Sequence, residues 1–193
     1  MTPLILASES PRRRELLKKA GYDFDVVPVK VSEIPNKNLN VNDQILDIAR
    51  RKARAAFDLL KSSRTGPFTV LAADTEVIFG EGPLGKPSDR DDAYRILRLL
   101  SGRFHEVITA VCMIDSSSQK ELSQFEITHI YFKELSDNEI WSYIDTGDPM
   151  DKAGAYGIQS GAGHFIDRIE GPFDNVVGLP IDLVRKMLLE LAK

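Results

Sequence analysis

Carboxylates, lysines and a run of arginines carry the chemistry this chain of 193 residues can offer. Asp74 follows the small and apolar run Val70-Leu71-Ala72-Ala73, which puts a carboxylate at the end of a buried strand, where ligands gather in open α/β sheets. A strand-terminal aspartate also caps turns, and position alone does not separate the two roles. Glu33 sits in the loop Val31-Ser32-Glu33-Ile34-Pro35 and by itself reads as a solvated loop carboxylate. Paired with Asp74 it supplies two hard oxygen ligands from separate segments. That is the usual protein share of a Mg²⁺ site completed by water and substrate phosphates.

The cations follow the same logic. Lys86 stands between Gly85 and Pro87, which hold the backbone in a loop and present a compact positive charge suited to phosphate oxygens. Gly80-Glu81-Gly82 and Gly85-Lys86 lack the spacing and the Ser/Thr of a Walker P-loop. Lys52, within Ala49-Arg50-Arg51-Lys52-Ala53-Arg54, reads first as one of several helix-surface cations. Arg12, Arg13 and Arg14 follow Ser8-Glu9-Ser10-Pro11 at a capped helix start and, read alone, fit a solvated charge run, a grip on nucleic acid or a clamp for a smaller anion. Gln159, among glycines in Tyr156-Gly157-Ile158-Gln159-Ser160-Gly161, can donate and accept hydrogen bonds, which suits a base edge or an ordinary polar turn.

Other chemistries lack their residues. His105, His129 and His164 are far apart and have no second ligand at turn or helical spacing, so strand or surface positions are expected for them. The single cysteine, Cys112, lies in Ala110-Val111-Cys112-Met113-Ile114 as a buried strand residue and cannot form an internal disulfide, which fits a reducing compartment. No Gly-x-Ser-x-Gly elbow occurs, which argues against a serine hydrolase. A net charge of −4 opposes nucleic-acid binding. No segment has the apolar length of a membrane span and no secretory signal opens the chain, so the expectation is a soluble cytoplasmic protein with no membrane partner.

The elements that must position these residues alternate in type. Pro3–Ala7 reads as a strand, then Ser10 as N-cap and Pro11 at the first helical position open a helix that Gly21 stops. Tyr22–Val29 alternates as a strand, and Val41–Ser62 carries apolar residues at helical spacing. Phe68–Asp74 and Thr75–Phe79 are β-rich with a polar break at Asp74-Thr75, and Ser88 is placed to cap a helix from Asp89 to Leu100. Phe104–Ile114 and Glu121–Phe132 form a hairpin, and Ser136 with Glu139 makes a capping box for a helix ending at Gly147. A glycine-rich passage, the strand 164–171 and a helix opened by Leu179-Pro180-Ile181 complete one α/β domain over residues 1–193.

Taken in order, LASESPRRRELL, SEIP, RRKARA, AADTEVI, LGKPSDRDDAYRILRLLSGRFHEVITAV, YIDTGDPMDKAGAYGIQ and IEGPFDNVVGLPI resemble the Maf family of nucleoside triphosphate pyrophosphatases. The resemblance implies an inosine-triphosphatase-like fold: a mixed twisted sheet flanked by helices, with two lobes around a central nucleotide cleft. It implies hydrolysis between the α and β phosphates to monophosphate and pyrophosphate, assisted by Mg²⁺ or Mn²⁺, in a homodimer. Carried over by position, Asp74 matches the general base and Glu33 the acidic metal or substrate residue, while Lys52 and Lys86 match the phosphate-binding lysines. Ser8, Arg12 and Arg13 match the first phosphate loop. Arg12, Thr75 and Gln159 match the base-discriminating positions of members that prefer dTTP and UTP. A 7-methyl-GTP preference or a nucleotide-binding regulator of cell division are the alternatives the family allows. Ser32 departs from the family's frequent aspartate, removing one possible accessory carboxylate.

Overall fold

In a computed structural model, which describes residues 2–80 and 82–193, the chain forms a seven-stranded mixed sheet flanked by helices. The strand order is β2-β1-β3-β5-β6-β7, with the short β4 on β3. β1 (Leu4–Leu6) lies parallel to both β2 (Phe24–Val26) and β3 (Thr69–Phe79), with Leu6 opposite Leu71. β4 (Gly82–Pro83) runs antiparallel to β3, and β7 (Ile166–Glu170) antiparallel to β6 (Glu121–Phe132). β5 (Phe104–Asp115) and β6 are sheet neighbours joined by a short turn, in which Asp115 N–H donates to Lys120 O at 3.0 Å, so the expected hairpin is present.

Contacts divide the chain into two compact units. The first comprises 1–75, 109–126 and 178–193; the second comprises 76–108 and 127–177. In the first unit α1 (Pro11–Lys19), α2 (Val41–Lys61) and α6 (Ile181–Leu191) accompany the strands. Its core joins Leu4 and Leu6 of β1, Leu17 of α1, Leu71 and Ala73 of β3, Val111 and Met113 of β5, and Leu183, Val184 and Met187 of α6. The three residues of β1 are all buried, which explains its uninterrupted apolar sequence: a central parallel strand has no solvent face.

The second unit holds α3 (Arg90–Leu100), α4 (Asp137–Asp145) and α5 (Phe173–Val177). Its core gathers Val77, Ile96, Leu97 and Leu100 with Ile130, Phe132, Ile140, Tyr143 and Phe165. Asn175 is fully buried and donates to Val107 O at 2.9 Å and Thr128 Oγ1 at 3.0 Å, while Thr128 Oγ1 donates to Pro172 O at 2.9 Å. The Phe173–Val177 turn is thereby pinned to β5 and β6.

The structure departs from the local sequence pattern at several points. β3 runs unbroken through Asp74-Thr75, because both polar side chains find partners rather than a turn. Asp89, not Ser88, caps α3: its side chain accepts from Asp92 N–H at 2.8 Å, while Ser88 N–H donates to Asp92 Oδ2 at 3.0 Å. The strand expected over Tyr22–Val29 is only Phe24–Val26. The one expected over 164–171 starts later, since residues Gly161–Phe165 form a 3₁₀ turn. Among the described residues no helix is long and apolar enough to cross a membrane.

Candidate active site

The first unit brings most of the expected residues together. Ser10 caps α1 and Pro11 occupies its first turn, so the chain leaves β1, turns through Ala7–Ser10 and enters the helix. Ala7 N–H donates to Leu71 O at 2.8 Å, carrying the β1–β3 pairing one residue past the strand. Ser8 is buried; its Oγ accepts from Ser10 N–H at 3.2 Å. Three residues beyond Leu71, Asp74 is buried in the same strand.

The three arginines separate. Arg12 is exposed, as is Arg14, whose guanidinium donates to Glu9 O at 3.1 Å. Arg13 is half-buried and committed: Nε donates to Gly178 O at 2.8 Å, Nη2 to Thr75 Oγ1 at 3.0 Å and Nη1 more loosely to Ser8 Oγ at 3.5 Å. Desolvation lowers its pKa below the ordinary guanidinium value, while the charge of Asp74 acts in the opposite direction. Thr75 Oγ1 also pairs with Thr109 Oγ1 at 3.0 Å. Arg13 therefore ties α1 to β3 and to the glycine that precedes Leu179, while Arg12 and Arg14 stay exposed.

Lys52 is the centre of the site. From α2 its ammonium lies 2.7 Å from Asp74 Oδ1 and 2.6 Å from Glu33 Oε1, with only 13% of its side chain exposed. The helical spacing shows why it is no surface cation: Lys52 stands three residues after Ala49 and four before Ala56, both buried, so it belongs to the apolar stripe of α2. Asp74 is slightly more enclosed than Lys52, while the Glu33 side chain is 64% exposed on its loop. Two carboxylates from separate segments thus converge within reach of one cation. Among the described residues no group of three His, Cys, Asp or Glu side chains could hold a metal. A divalent ion here would rest on these two carboxylates plus substrate oxygens, a donor set that fits Mg²⁺ or Mn²⁺.

Lys86 and Gln159 belong to the second unit. Lys86 is exposed between Gly85, at φ 65°, and the buried Pro87. Its loop is held by Gly154 N–H donating to Gly85 O at 2.8 Å. Gln159 is exposed in a turn closed by Ser160 N–H donating to Gly157 O at 3.2 Å. Residues not singled out in the sequence support this turn. Lys152 Nζ donates to Asp148 O at 2.7 Å, Asp148 Oδ1 at 2.9 Å and Asp151 Oδ1 at 2.7 Å. Ser160 Oγ donates to Asp148 Oδ2 at 2.5 Å, the Tyr143 hydroxyl donates to the same oxygen, and Gly157 N–H donates to Tyr143 at 3.1 Å. Burial opposes ionisation of Asp148, yet these hydrogen bonds prevail and hold its pKa below the usual carboxylate range.

The remaining candidates fall outside the chemistry. His105 is buried on β5 with Nε2 2.7 Å from the Tyr156 hydroxyl, and burial pushes its pKa down to about 3. Cys112 is buried, its thiol pushed up to about 11 by desolvation, as an inert strand residue should be.

Known proteins resemble this chain in sequence and in fold. A protein from Bdellovibrio bacteriovorus named dTTP/UTP pyrophosphatase is 74% identical over 185 residues, covering 96% of each chain. One of the same name from Caldicellulosiruptor bescii is 44% identical over 192 residues, covering 99% of this chain and 96% of that one. The solved Ham1 protein of Staphylococcus aureus superposes over the full length of both chains with a TM-score of 0.56 at 16% identity, a likeness of fold. Residues 3–191 match the model of the family described as Maf-like protein, and the chain belongs to that family.

Proposed function

We propose that this chain hydrolyses dTTP and UTP between the α and β phosphates, releasing the nucleoside monophosphate and pyrophosphate, and so clears nucleotide pools of unwanted pyrimidine triphosphates. The observation that carries the reading is the Lys52 ammonium bridging Asp74 and Glu33 in the unit that also holds the Ser8–Arg13 helix start. The names of relatives at 74% and 44% identity support the substrate class.

Asp74 is the group that accepts a proton from the attacking water. The water oxygen bonds to the α-phosphorus, the bond from that phosphorus to the bridging oxygen breaks, and pyrophosphate leaves. Lys52 neutralises charge beside Asp74, and Ser8 with the amides of the α1 N-terminus offers donors to phosphate oxygens. Arg12 supplies an exposed guanidinium to the polyphosphate, and Arg13 fixes the loop that presents it. Glu33 and Asp74 are the residues that would hold a divalent cation; when bound, it supplies Lewis-acid neutralisation of the polyphosphate. Lys86, Thr75 and Gln159 enter through the family resemblance, as a second phosphate cation and as readers of the base. Under the same reading residues 1–193 act as one domain, in a cytoplasmic homodimer.

The test is a panel of dTTP, UTP, CTP and 7-methyl-GTP with Mg²⁺ or Mn²⁺ and separate detection of pyrophosphate and orthophosphate. Pyrophosphate from dTTP and UTP, lost in Asp74→Asn with the fold intact, is expected. Orthophosphate release refutes the bond assignment, preference for 7-methyl-GTP refutes the substrate, and binding without turnover favours a regulator.

A further inference from the structure

Glu33 is a mostly exposed residue in a segment, 27–40, that has no helix or strand, yet its carboxylate meets Lys52 at 2.6 Å. A side chain on such a loop does not hold a fixed place without support. The support comes from the residue next to Lys52 on α2. The Arg51 guanidinium donates from Nη1 to Ser32 O and from Nη2 to Ile34 O at 3.0 Å, the two carbonyls on either side of Glu33. Asp47, one turn earlier on the helix, meets Arg51 Nη2 at 3.0 Å and orients the guanidinium from behind. Ser32 Oγ accepts from Ile34 N–H at 3.4 Å, drawing the loop closed around Glu33 from within. The buried Nε of Arg51 has no acceptor among the described residues, so the side chain's direction is set by its two terminal nitrogens.

We propose that Arg51 is a positioning residue for Glu33: its planar fork spans the carbonyls of Ser32 and Ile34 and holds the Glu33 carboxylate at Lys52, the cation it shares with Asp74. Neighbouring residues of one helix then divide the work, Lys52 taking the side chain of Glu33 and Arg51 the backbone around it. A lysine cannot substitute, because one ammonium on a flexible stem does not fix two carbonyls in a plane. The inference rests on the reading in which Glu33 takes part in turnover.

The experiment compares Arg51→Met, Arg51→Lys, Glu33→Gln and the double variant Arg51→Met/Glu33→Gln. It reads pyrophosphate release from UTP together with amide hydrogen exchange over residues 31–35. Arg51→Met is expected to lower kcat/KM about 10- to 100-fold, the scale on which a misplaced group costs rate. Arg51→Lys should lose nearly as much while keeping the charge and the fold. Exchange over 31–35 should rise in both Arg51 variants, and the double variant should be no slower than Glu33→Gln alone. Losses that multiply in the double variant overturn the inference, as does an Arg51→Met enzyme of full activity when Glu33→Gln is impaired. A fully active Glu33→Gln removes the role of Glu33 itself, and with it this inference, whatever Arg51→Met does.

Discussion

Arg13 Nη2 donates to Thr75 Oγ1 at 3.0 Å, so the residue after the candidate base is wired to the first turn of α1. The same guanidinium holds the buried carbonyl of Gly178 at 2.8 Å. An arginine spent in this way is a brace for the site first and a ligand for anions second.

Replacing Arg13 with lysine should therefore cost stability as well as activity. The ammonium cannot serve Gly178 and Thr75 together, and a buried carbonyl left without a donor costs about 1–3 kcal/mol. Differential scanning calorimetry should show a fall of about 2–4 °C for each kcal/mol in a chain of this size. Arg12→Lys, at an exposed position, should leave the melting temperature unchanged and raise KM. Equal melting temperatures for the two variants would return Arg13 to the role of a free phosphate ligand.

His105 makes the fold sensitive to mild acid. Burial pushes its pKa down to about 3 from an ordinary 6.5, so the folded chain keeps the ring neutral where the unfolded chain takes up a proton. Its contribution is complete above pH 6.5 and is lost progressively as pH falls towards 3, by at most about 1.4 kcal/mol per pH unit. Urea unfolding followed by Trp141 fluorescence, in the same unit as His105, should show about 2 kcal/mol lost to this residue between pH 7 and pH 5. His105→Gln, which keeps a partner for Tyr156 but does not titrate, should flatten that dependence. An unchanged slope in the variant would assign the acid sensitivity elsewhere.

Gly154 offers a test of how the Lys86 loop is held. It adopts φ 71°, and a Cβ there would lie 2.9 Å from Val77 Cγ1 and 3.0 Å from Cγ2, on a buried side chain of β3. Gly154→Ala should lose about 1–3 kcal/mol from overpacking together with left-handed strain. It should also raise KM, since Gly154 N–H holds Gly85 beside Lys86. Val77→Ala removes the clash but is a core truncation itself, so Gly154→Ala should cost less in the Val77→Ala background than in the parent; an equal cost in both would mean that backbone strain alone sets it.

What the sequence disclosed was whatever is decided locally. The Ser10-Pro11 helix start and the reciprocal Ser136–Glu139 capping box need only neighbours within one turn, and both are present. The uninterrupted β3 was hidden because Asp74 and Thr75 are satisfied from α2, α1 and β5, at separations of 22, 62 and 34 residues. Lys52 did carry a signal, since a lysine in phase with Ala49 and Ala56 sits on a helix's inner stripe. Arg13, four residues before the buried Leu17, carried the same one. The burial of His105 and the Tyr143–Asp148–Lys152 support of Gln159 had no local mark, because each depends on side chains brought together by packing.

The straight course of β3 also governs how sequences of this kind can change. Successive residues of a strand face opposite ways, so the side of the sheet that Asp74 presents is fixed by its distance along the chain from Leu71, which is locked opposite Leu6. Exchange of one small apolar residue for another at Ala72 or Ala73 preserves that parity. A single inserted or deleted codon in the same interval reverses it, turning Asp74 away from Lys52 and putting its neighbour in its place. Between Leu71 and Asp74 the gene is therefore free to drift in letters but not in length.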